Sequence, residues 1–225
     1  MRIAEIFHSI QGEGRYTGTP SVFVRTSGCN LRCWFCDTPY TSWNPEGDTL
    51  SVEAILAEVQ KYACEHVVLT GGEPLLVPEL VDLSQELQHR GHFVTVETAG
   101  TVDLPVVADL MSISPKLGNS TPIGDNWAAR HDQRRDAPDV IERLIRDYPY
   151  QLKFVIDRPA DVAEVEAWVA RFTGVTNENV YLMPQATTSD SLRQMTPWVQ
   201  QAATARGWQF SPRLHVELYG AQRGV

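Results

Sequence analysis

The chain is poor in cysteine and has no long apolar run. Its 225 residues include four cysteines, and three of them are crowded between Cys29 and Cys36. A secreted disulfide framework distributes its cysteines differently, which excludes that class of protein. No run reaches the roughly 20 apolar residues of a membrane span, and Met1–Phe7 lack the basic and apolar parts of a signal peptide. We therefore expect a soluble, cytoplasmic protein.

Basic charge is also scarce in this sequence. Lys and Arg number 19 against 28 for Asp and Glu, which gives a net charge of −9. Such a surface repels a phosphate backbone, so we expect no direct contact with nucleic acid. Internal repeats, low-complexity segments and Pro/Ser-rich linkers are absent as well. A chain of this length can bury an adequate core without disulfides, and we predict a single domain over residues 1–225.

Apolar β-type runs alternate with segments of helical periodicity, and this alternation predicts an α/β fold. The predicted strands are Ser21–Thr26, His66–Thr70, Phe93–Thr98, Met111–Ser114, Gln151–Ile156, Val180–Met183 and Leu214–Leu218. Helices are predicted over Val52–Tyr62, with Ser51 as N-cap, and over Pro78–Arg90, while Leu117–Asp136 is typical of a long surface loop. Apolar strands of this kind indicate a parallel sheet that is buried on both faces. Because the chain is short for eight β/α units, we predict a partial, open (β/α) barrel with abbreviated crossover helices. Open sheet edges favour a homodimer.

Three cysteines follow the first predicted strand at spacings that allow one loop to surround one metal centre: Cys29, Cys33 and Cys36. A structural zinc site needs four protein ligands, and no second Cys or His pair lies nearby in the sequence. Three cysteines on a 4Fe–4S cluster leave one iron open for a cofactor. The alternatives are three unrelated buried cysteines, or a zinc knuckle completed by His8 or His66.

The Cys-x3-Cys-x2-Cys motif after a first strand resembles that of the radical S-adenosylmethionine superfamily. The segment Thr70-Gly71-Gly72-Glu73-Pro74 ends the next predicted strand. It resembles the glycine-rich turn with which that superfamily contacts the methionine amino group of the cofactor. The two glycines allow the backbone to approach a ligand closely, and Glu73 offers an acceptor to an ammonium.

Further segments resemble the 7-carboxy-7-deazaguanine synthase family in the same order along the chain. These segments are residues 5–14, 23–25, 36–38, 97–101, 112–116 and 219–225. The resemblance implies conversion of 6-carboxy-5,6,7,8-tetrahydropterin to 7-carboxy-7-deazaguanine with loss of ammonia, a carbon–nitrogen lyase reaction in queuosine and related deazapurine biosynthesis. It also implies a 4Fe–4S cluster, S-adenosylmethionine and Mg²⁺ as cofactors, a flavodoxin-like or other reductant, and a homodimer.

The resemblance implies a role for each matching residue. The cluster is assigned to the three cysteines, and Mg²⁺ to Thr38, which is chemically reasonable because Mg²⁺ keeps several waters. The residues assigned to S-adenosylmethionine are Phe35, Cys36, Asp37, Gly72, Glu73, Ser114, Pro115, Lys116 and Gln185. Those assigned to substrate are Ile10, Gln11, Gly12, Glu13, Arg25, Thr70, His215 and Val225. Arg25 suits a carboxylate because guanidinium binds it as a fork. No side chain is assigned a catalytic role, because the radical chemistry belongs to the cofactor. An N-terminal segment is expected to bind substrate, and a C-terminal tail to close over the site.

Two other functions compete with this interpretation. One is an activating enzyme of the same superfamily that acts on a partner protein, and the other is a non-enzymatic zinc-binding module. Residues 11–14 and the C-terminal match favour the small-molecule synthase. We interpret His8, His66, His89, His92 and His131 as surface or packing residues. Cys64 is interpreted as a small core residue within a helix.

Overall fold

A computed structural model describes residues 1–220 and 222–224 and shows a nine-stranded open sheet with helices packed against it. The strands are β1 (Arg2–Ile10), β2 (Pro20–Thr26), β3 (Asp48–Thr49), β4 (His66–Gly71), β5 (Phe93–Thr98), β6 (Leu110–Ile113), β7 (Tyr150–Ile156), β8 (Val180–Pro184) and β9 (Gln209–Phe210). The α-helices are α1 (Pro39–Ser42), α2 (Val52–Val59), α3 (Leu80–His89), α4 (Ala128–Arg135), α5 (Pro138–Asp147), α6 (Pro159–Val169), α7 (Ser189–Thr204) and α8 (Leu214–Tyr219).

The sheet order is β3-β1-β2-β4-β5-β6-β7-β8-β9. From β2 to β9 every neighbouring pair in this order is parallel, and β1 and β3 add two antiparallel strands at one edge. The predicted α/β fold with an open barrel is confirmed. Six of the seven predicted strands are observed with small shifts of their ends. In a parallel sheet the carboxyl ends of these strands lie along one edge, which is where such folds place their sites.

The core lies on the two faces of the sheet because the central strands alternate apolar side chains towards both. Val24, Leu69 and Val96 are fully buried. Helix α2 begins where the Ser51 hydroxyl accepts a hydrogen bond from the Ala54 N–H at 3.2 Å, as predicted. Among the helices in the described part of the chain, none has the length and apolarity to cross a membrane.

The last predicted strand, Leu214–Leu218, is wrong because this segment is helix α8. Its alternating apolar residues imitate strand periodicity, but the amides of Val216 and Glu217 bond back to the Arg213 carbonyl. Strand β1 was not predicted. Its sequence, RIAEIFHSI, does not alternate regularly between apolar and polar residues, and its side chains are mostly half-buried.

The predicted loop Leu117–Asp136 is wrong in its second half, which contains helix α4. The buried residue of this helix is His131, so the sequence shows no apolar stripe. The imidazole accepts from the Arg32 N–H at 3.1 Å and contacts the Ser120 hydroxyl at 2.9 Å, which makes His131 a packing residue. Cys64 does not lie within a helix, because α2 ends at Val59.

Both edges of the described sheet are short. Strands β3 and β9 each contain two residues. Short edge strands offer few unpaired backbone groups to another chain. The argument for a homodimer from open edges therefore finds little support in the sheet, and the homodimer stays a prediction based on the family.

Candidate functional site

The carboxyl ends of the parallel strands surround one cavity of about 320 Å³. The register of neighbouring strands brings side chains together there, and Arg25 of β2, for example, lies beside Thr70 of β4. Glu97 of β5, Lys153 of β7 and Gln185, which follows β8, line the same cavity. Residues that are far apart in the sequence are thus assembled at one edge of the sheet.

Cys29, Cys33 and Cys36 line one side of the cavity on the loop that follows β2. Leu31 and Ala99 pack around them and shield them from water. Burial raises the pKa of Cys29 to about 12 and that of Cys33 to about 11, and the charges of neighbouring cysteines contribute to both increases. Thiolates at this position therefore need a cation to accompany them.

The cysteine loop is held against the glycine-rich turn after β4. A Cβ atom on Gly72 would lie 2.2 Å from the Gly28 carbonyl oxygen and 2.9 Å from the Cys29 Cβ, so only glycine fits there. The Glu73 N–H donates to the Gly28 carbonyl at 2.9 Å. The two segments are therefore joined directly, as a site that binds one ligand from both requires.

The donor set fits an iron–sulfur cluster. Among the described residues, no three His, Cys, Asp or Glu side chains converge on a single ion. A cluster does not require such convergence, because each cysteine binds a different iron. His8 stacks on Tyr62, and His66 stacks on Phe93 at the amino end of β4, so neither imidazole lines the cavity to complete a zinc knuckle.

Charged side chains of both signs also line the cavity. Glu13 accepts from Lys153 Nζ at 2.9 Å and from Arg213 Nε at 3.3 Å, and Lys153 Nζ lies 3.5 Å from Glu97. Burial opposes ionisation of Glu13, but the charges of Lys153 and Arg213 outweigh it and hold the pKa of Glu13 well below its ordinary value. Burial likewise opposes the charge of Lys153, and the two carboxylates outweigh it and raise the pKa of that amine.

Polar side chains extend this charged group. Glu97 accepts from the Thr70 hydroxyl at 2.9 Å and from Gln11 Nε2 at 3.2 Å. The Gln11 side-chain oxygen accepts from the Glu13 N–H at 3.1 Å. Each carboxylate in this part of the cavity is thus fixed by several donors.

Arg25 lies at another side of the cavity and is paired with Glu5. Its Nε donates to Glu5 at 2.7 Å, and the Tyr40 hydroxyl donates to the same oxygen at 2.7 Å. Burial opposes the charge of Arg25, while the Tyr40 and Glu5 groups outweigh it and raise the pKa of the guanidinium. Arg223 of the C-terminal tail also donates to Glu5, at 3.2 Å.

Most residues predicted for the site line this cavity. They are Ile10, Gln11, Gly12, Glu13, Arg25, Cys29, Cys33, Phe35, Cys36, Asp37, Thr38, Thr70, Gly72, Ser114, Lys116, Gln185 and His215. Glu73 and Pro115 do not. Glu73 is fully buried and accepts hydrogen bonds from the Thr98 hydroxyl at 2.7 Å and the Ala99 N–H at 2.8 Å. It therefore stabilises two residues that line the cavity without lining it itself. Val225 lies outside the described residues. The ligand assigned to each residue stays a prediction.

Lys153 and Arg213 were not predicted as site residues, and Glu97 was included only as part of a matching segment. Lys153 is the one charged residue of β7 and is followed by three apolar residues. A lysine in a buried strand is unusual, and this could have identified it as a site residue. Arg213 gave no such signal, because it precedes a segment that was predicted as a strand. Its partners are Glu13 and, at 2.5 Å, Asp37.

Known proteins resemble this chain in sequence and in structure. A model of the Radical SAM superfamily matches residues 23–116. A 7-carboxy-7-deazaguanine synthase from Halobacterium salinarum is 48% identical over 96% of this chain and 90% of its own length. One from Rhodopirellula baltica is 46% identical over 99% of this chain and 88% of its own. The crystal structure of QueE from Escherichia coli covers 95% of this chain and 94% of its own, with a TM-score of 0.73 at 26% identity.

The open parallel sheet, the cysteine loop at its carboxyl edge and these matches define a radical SAM enzyme. A 4Fe–4S cluster and S-adenosylmethionine are the cofactors that this class implies. The relatives match over nearly the whole length rather than over the cluster motif alone. The chain belongs to the 7-carboxy-7-deazaguanine synthase family.

Proposed function

We propose that this chain converts 6-carboxy-5,6,7,8-tetrahydropterin to 7-carboxy-7-deazaguanine with loss of ammonia, as a carbon–nitrogen lyase on a route to queuosine or related deazapurines. One observation carries the proposal: a single cavity is lined by three cysteines, by the carboxylates of Glu13 and Glu97 and by Arg25. The substrate offers matching chemistry, since it carries a guanine-like edge of donors and acceptors and a carboxylate.

Cys29, Cys33 and Cys36 would hold the 4Fe–4S cluster. When bound, the cluster and S-adenosylmethionine supply the hydrogen-atom abstraction that begins the ring contraction. The chain's own contribution is to orient both ligands and to exclude water. Lys116 Nζ donates to the Ser114 hydroxyl at 2.7 Å, which fixes two of the side chains assigned to the cofactor.

The amino-pyrimidinone edge of the pterin would face Glu13 and Glu97. Lys153 and Arg213 keep Glu13 ionised, so it presents acceptors only, which suits the amino and ring N–H donors of that edge. Lys153, which is 4% exposed and lies between the two carboxylates, and Arg213, which pairs with Glu13, together balance the charges of Glu13 and Glu97. The set is organised before the substrate arrives, so little reorganisation opposes binding.

The substrate carboxylate would bind Arg25. Glu5 holds the Nε atom of Arg25, and no other described residue hydrogen-bonds to its two terminal nitrogens, which leaves them for a carboxylate fork. Thr38, whose hydroxyl lies 3.2 Å from that of Thr41, lines the same cavity and is the proposed Mg²⁺ ligand. Water and substrate oxygens would complete the coordination sphere, as is usual for this ion.

We also propose that the chain acts as one domain whose ends close the site. The N-terminal residues reach the cavity through Gly12, where a Cβ would lie 2.0 Å from His215 Nδ1. In the tail, the Arg223 guanidinium lies 4.1 Å from the centre of the Tyr40 ring, and residues 222–224 line the cavity. The Val225 carboxylate near substrate remains a prediction.

The deciding experiment is anaerobic incubation of the protein with S-adenosylmethionine, reductant, Mg²⁺ and the carboxypterin, with mass detection of the deazaguanine. We expect brown protein that contains iron and sulfide, and product that depends on every component. Arg25→Gln should raise the substrate KM because the guanidinium fork is lost. Cofactor cleavage without the deazaguanine would reject this substrate and direct attention to an activating enzyme. Colourless protein with one zinc would reject the whole proposal.

Three associated expectations have their own tests. Deletion of the last three residues should lower turnover, and unchanged turnover would refute the role of the tail. A flavodoxin-like reductant is tested by whether a reduced flavodoxin replaces dithionite in the assay. The homodimer is tested by the molar mass in light scattering, since the monomer has a mass of 25.2 kDa.

A further inference from the structure

We infer that the Ser42 hydroxyl donates a hydrogen bond to the Cys36 sulfur and thereby sets the reduction potential of the cluster. Ser42 Oγ lies 3.1 Å from Cys36 Sγ. Ser42 is the last residue of α1 and is 3% exposed, so water does not compete for its hydroxyl. The inference rests on the proposed cluster ligands and adds a residue that acts through one of them.

The direction of this hydrogen bond follows from the chemistry of a bound cysteine. A cysteine that ligates iron is a thiolate and has no proton to donate, so the hydroxyl must be the donor. In the described part of the chain, Cys36 Sγ is the one hydrogen-bond partner of Ser42 Oγ. A buried hydroxyl without a partner is energetically costly. The sulfur is therefore what satisfies this side chain.

Other buried hydroxyls on helices of this protein behave differently. The Thr41 hydroxyl donates to the Thr38 carbonyl at 2.9 Å, and the Ser84 hydroxyl donates to the Val81 carbonyl at 2.8 Å. Both follow the usual pattern of Ser and Thr, in which the side chain bonds to backbone one turn earlier. Ser42 departs from this pattern and reaches a sulfur instead.

A donor at a ligating sulfur favours the reduced cluster, which carries one more negative charge than the oxidised cluster. Hydrogen bonds to the sulfurs are among the factors that set cluster potentials. The Leu31 N–H is a second donor, 3.4 Å from Cys29 Sγ, but it belongs to the backbone and side-chain substitution does not remove it. The Thr38 hydroxyl also lies near Cys36 Sγ, but at 3.8 Å, and it is the proposed Mg²⁺ ligand. Ser42 is thus the nearer side-chain donor, and its hydroxyl makes the cluster easier to reduce.

The test is a redox titration of anaerobically loaded protein, followed by the EPR signal of the reduced cluster. Ser42→Ala should shift the midpoint potential to a more negative value. Ser42→Thr keeps a hydroxyl and should restore a potential close to that of the unchanged protein. Ser84→Ala is the matched control, because it removes a buried helix hydroxyl that contacts neither a sulfur nor a residue of the cavity. Its potential should not move.

Each other outcome contradicts the inference. An unchanged potential in Ser42→Ala, or an equal shift in Ser84→Ala, would show that the hydroxyl does not act on the sulfur. Loss of the cluster from Ser42→Ala alone would assign Ser42 to cluster assembly rather than to its potential. Iron and sulfide analysis of the unchanged protein comes first, and their absence would refute the proposed function rather than this inference.

Discussion

Two groups of residues that line the cavity treat their ionisable side chains in opposite ways. The cysteine wall, residues 29–36, contains thiols whose pKa is raised by burial. The charged wall is formed by Glu13, Glu97, Lys153 and Arg213. In Glu13, Lys153 and Arg213 the pKa is shifted in favour of the charged form despite burial. Both walls contain buried side chains, such as Cys33 and Lys153, so burial alone does not decide the charge. The number of opposite charges within reach decides it.

This difference indicates what each wall can bind. The charged wall neutralises itself, so it can receive a polar ligand without a large electrostatic change. The cysteine wall is incomplete as a set of thiolates until a metal centre supplies positive charge. Metal assembly should therefore alter the cysteine wall strongly and the charged wall little.

Replacement of one cysteine should have the largest effect. Cys33→Ser should abolish cluster binding and reduce product below detection, because a cluster held by three thiolates loses one ligand. Iron and sulfide content and product mass are the measurements. Cys64→Ser is the control, since the Cys64 thiol contacts the Pro20 and His66 carbonyls instead of the cavity. Equal iron content in the two variants would refute the cysteine wall as the cluster site.

Removal of the Lys153 ammonium should destabilise the charged wall. Lys153→Met leaves Glu13 and Glu97 without their shared partner, so we expect a loss of about 3–5 kcal/mol in the free energy of unfolding. Denaturant unfolding measures it, and the substrate KM should rise as well. The double variant Lys153→Met with Glu13→Gln should recover part of the stability. An additive loss would contradict direct pairing.

At the alkaline end, the cysteine wall should destabilise the metal-free protein. The raised pKa values mean that the unfolded thiols ionise from about pH 9 while the folded thiols stay neutral, so stability is lost as the pH rises towards 11 to 12. Denaturant unfolding at several pH values measures the slope. Cys29→Ser should flatten it, and an unchanged slope would contradict the raised pKa.

At the acid end, the charged wall should contribute instead. The pKa of Glu13 is lowered from 4.5, so its contribution is complete above that pH and is lost as the pH falls below it. The stability difference between the unchanged protein and Glu13→Gln should therefore shrink on acidification. Unfolding at pH 7 and at pH 3 measures it. A constant difference would show that Glu13 is not held ionised by its partners.

A substitution outside both walls should have the smallest effect. Ser51→Ala removes the N-cap of α2 and should cost about 1 kcal/mol of unfolding free energy. Cluster content and the substrate KM should not change, because Ser51 is exposed and does not line the cavity. A change in cluster content or in the substrate KM would show that both walls respond to any loss of stability. The Cys33 and Lys153 variants would then not report on their own walls specifically.

The sequence analysis was most successful where the signal is local. The strand Phe93–Thr98 has the predicted bounds because all of its residues except Glu97 are aromatic or β-branched, as is typical of strands. It failed at α8, where apolar residues two positions apart suit a strand as well as a short helix, and the decision depends on backbone partners. It failed at α4 because a helix packed through one histidine has no apolar stripe to detect.

By itself, the sequence determined the class of chemistry, because three cysteines on one loop and a glycine-rich turn are local patterns. The parallel fold also follows from local patterns, since buried strands need apolar runs. Only the tertiary structure decided that Lys153 lies between Glu13 and Glu97, and that Ser42 faces Cys36. The charge of a buried group depends on neighbours that strand register brings together from distant parts of the chain, and no short segment contains that information.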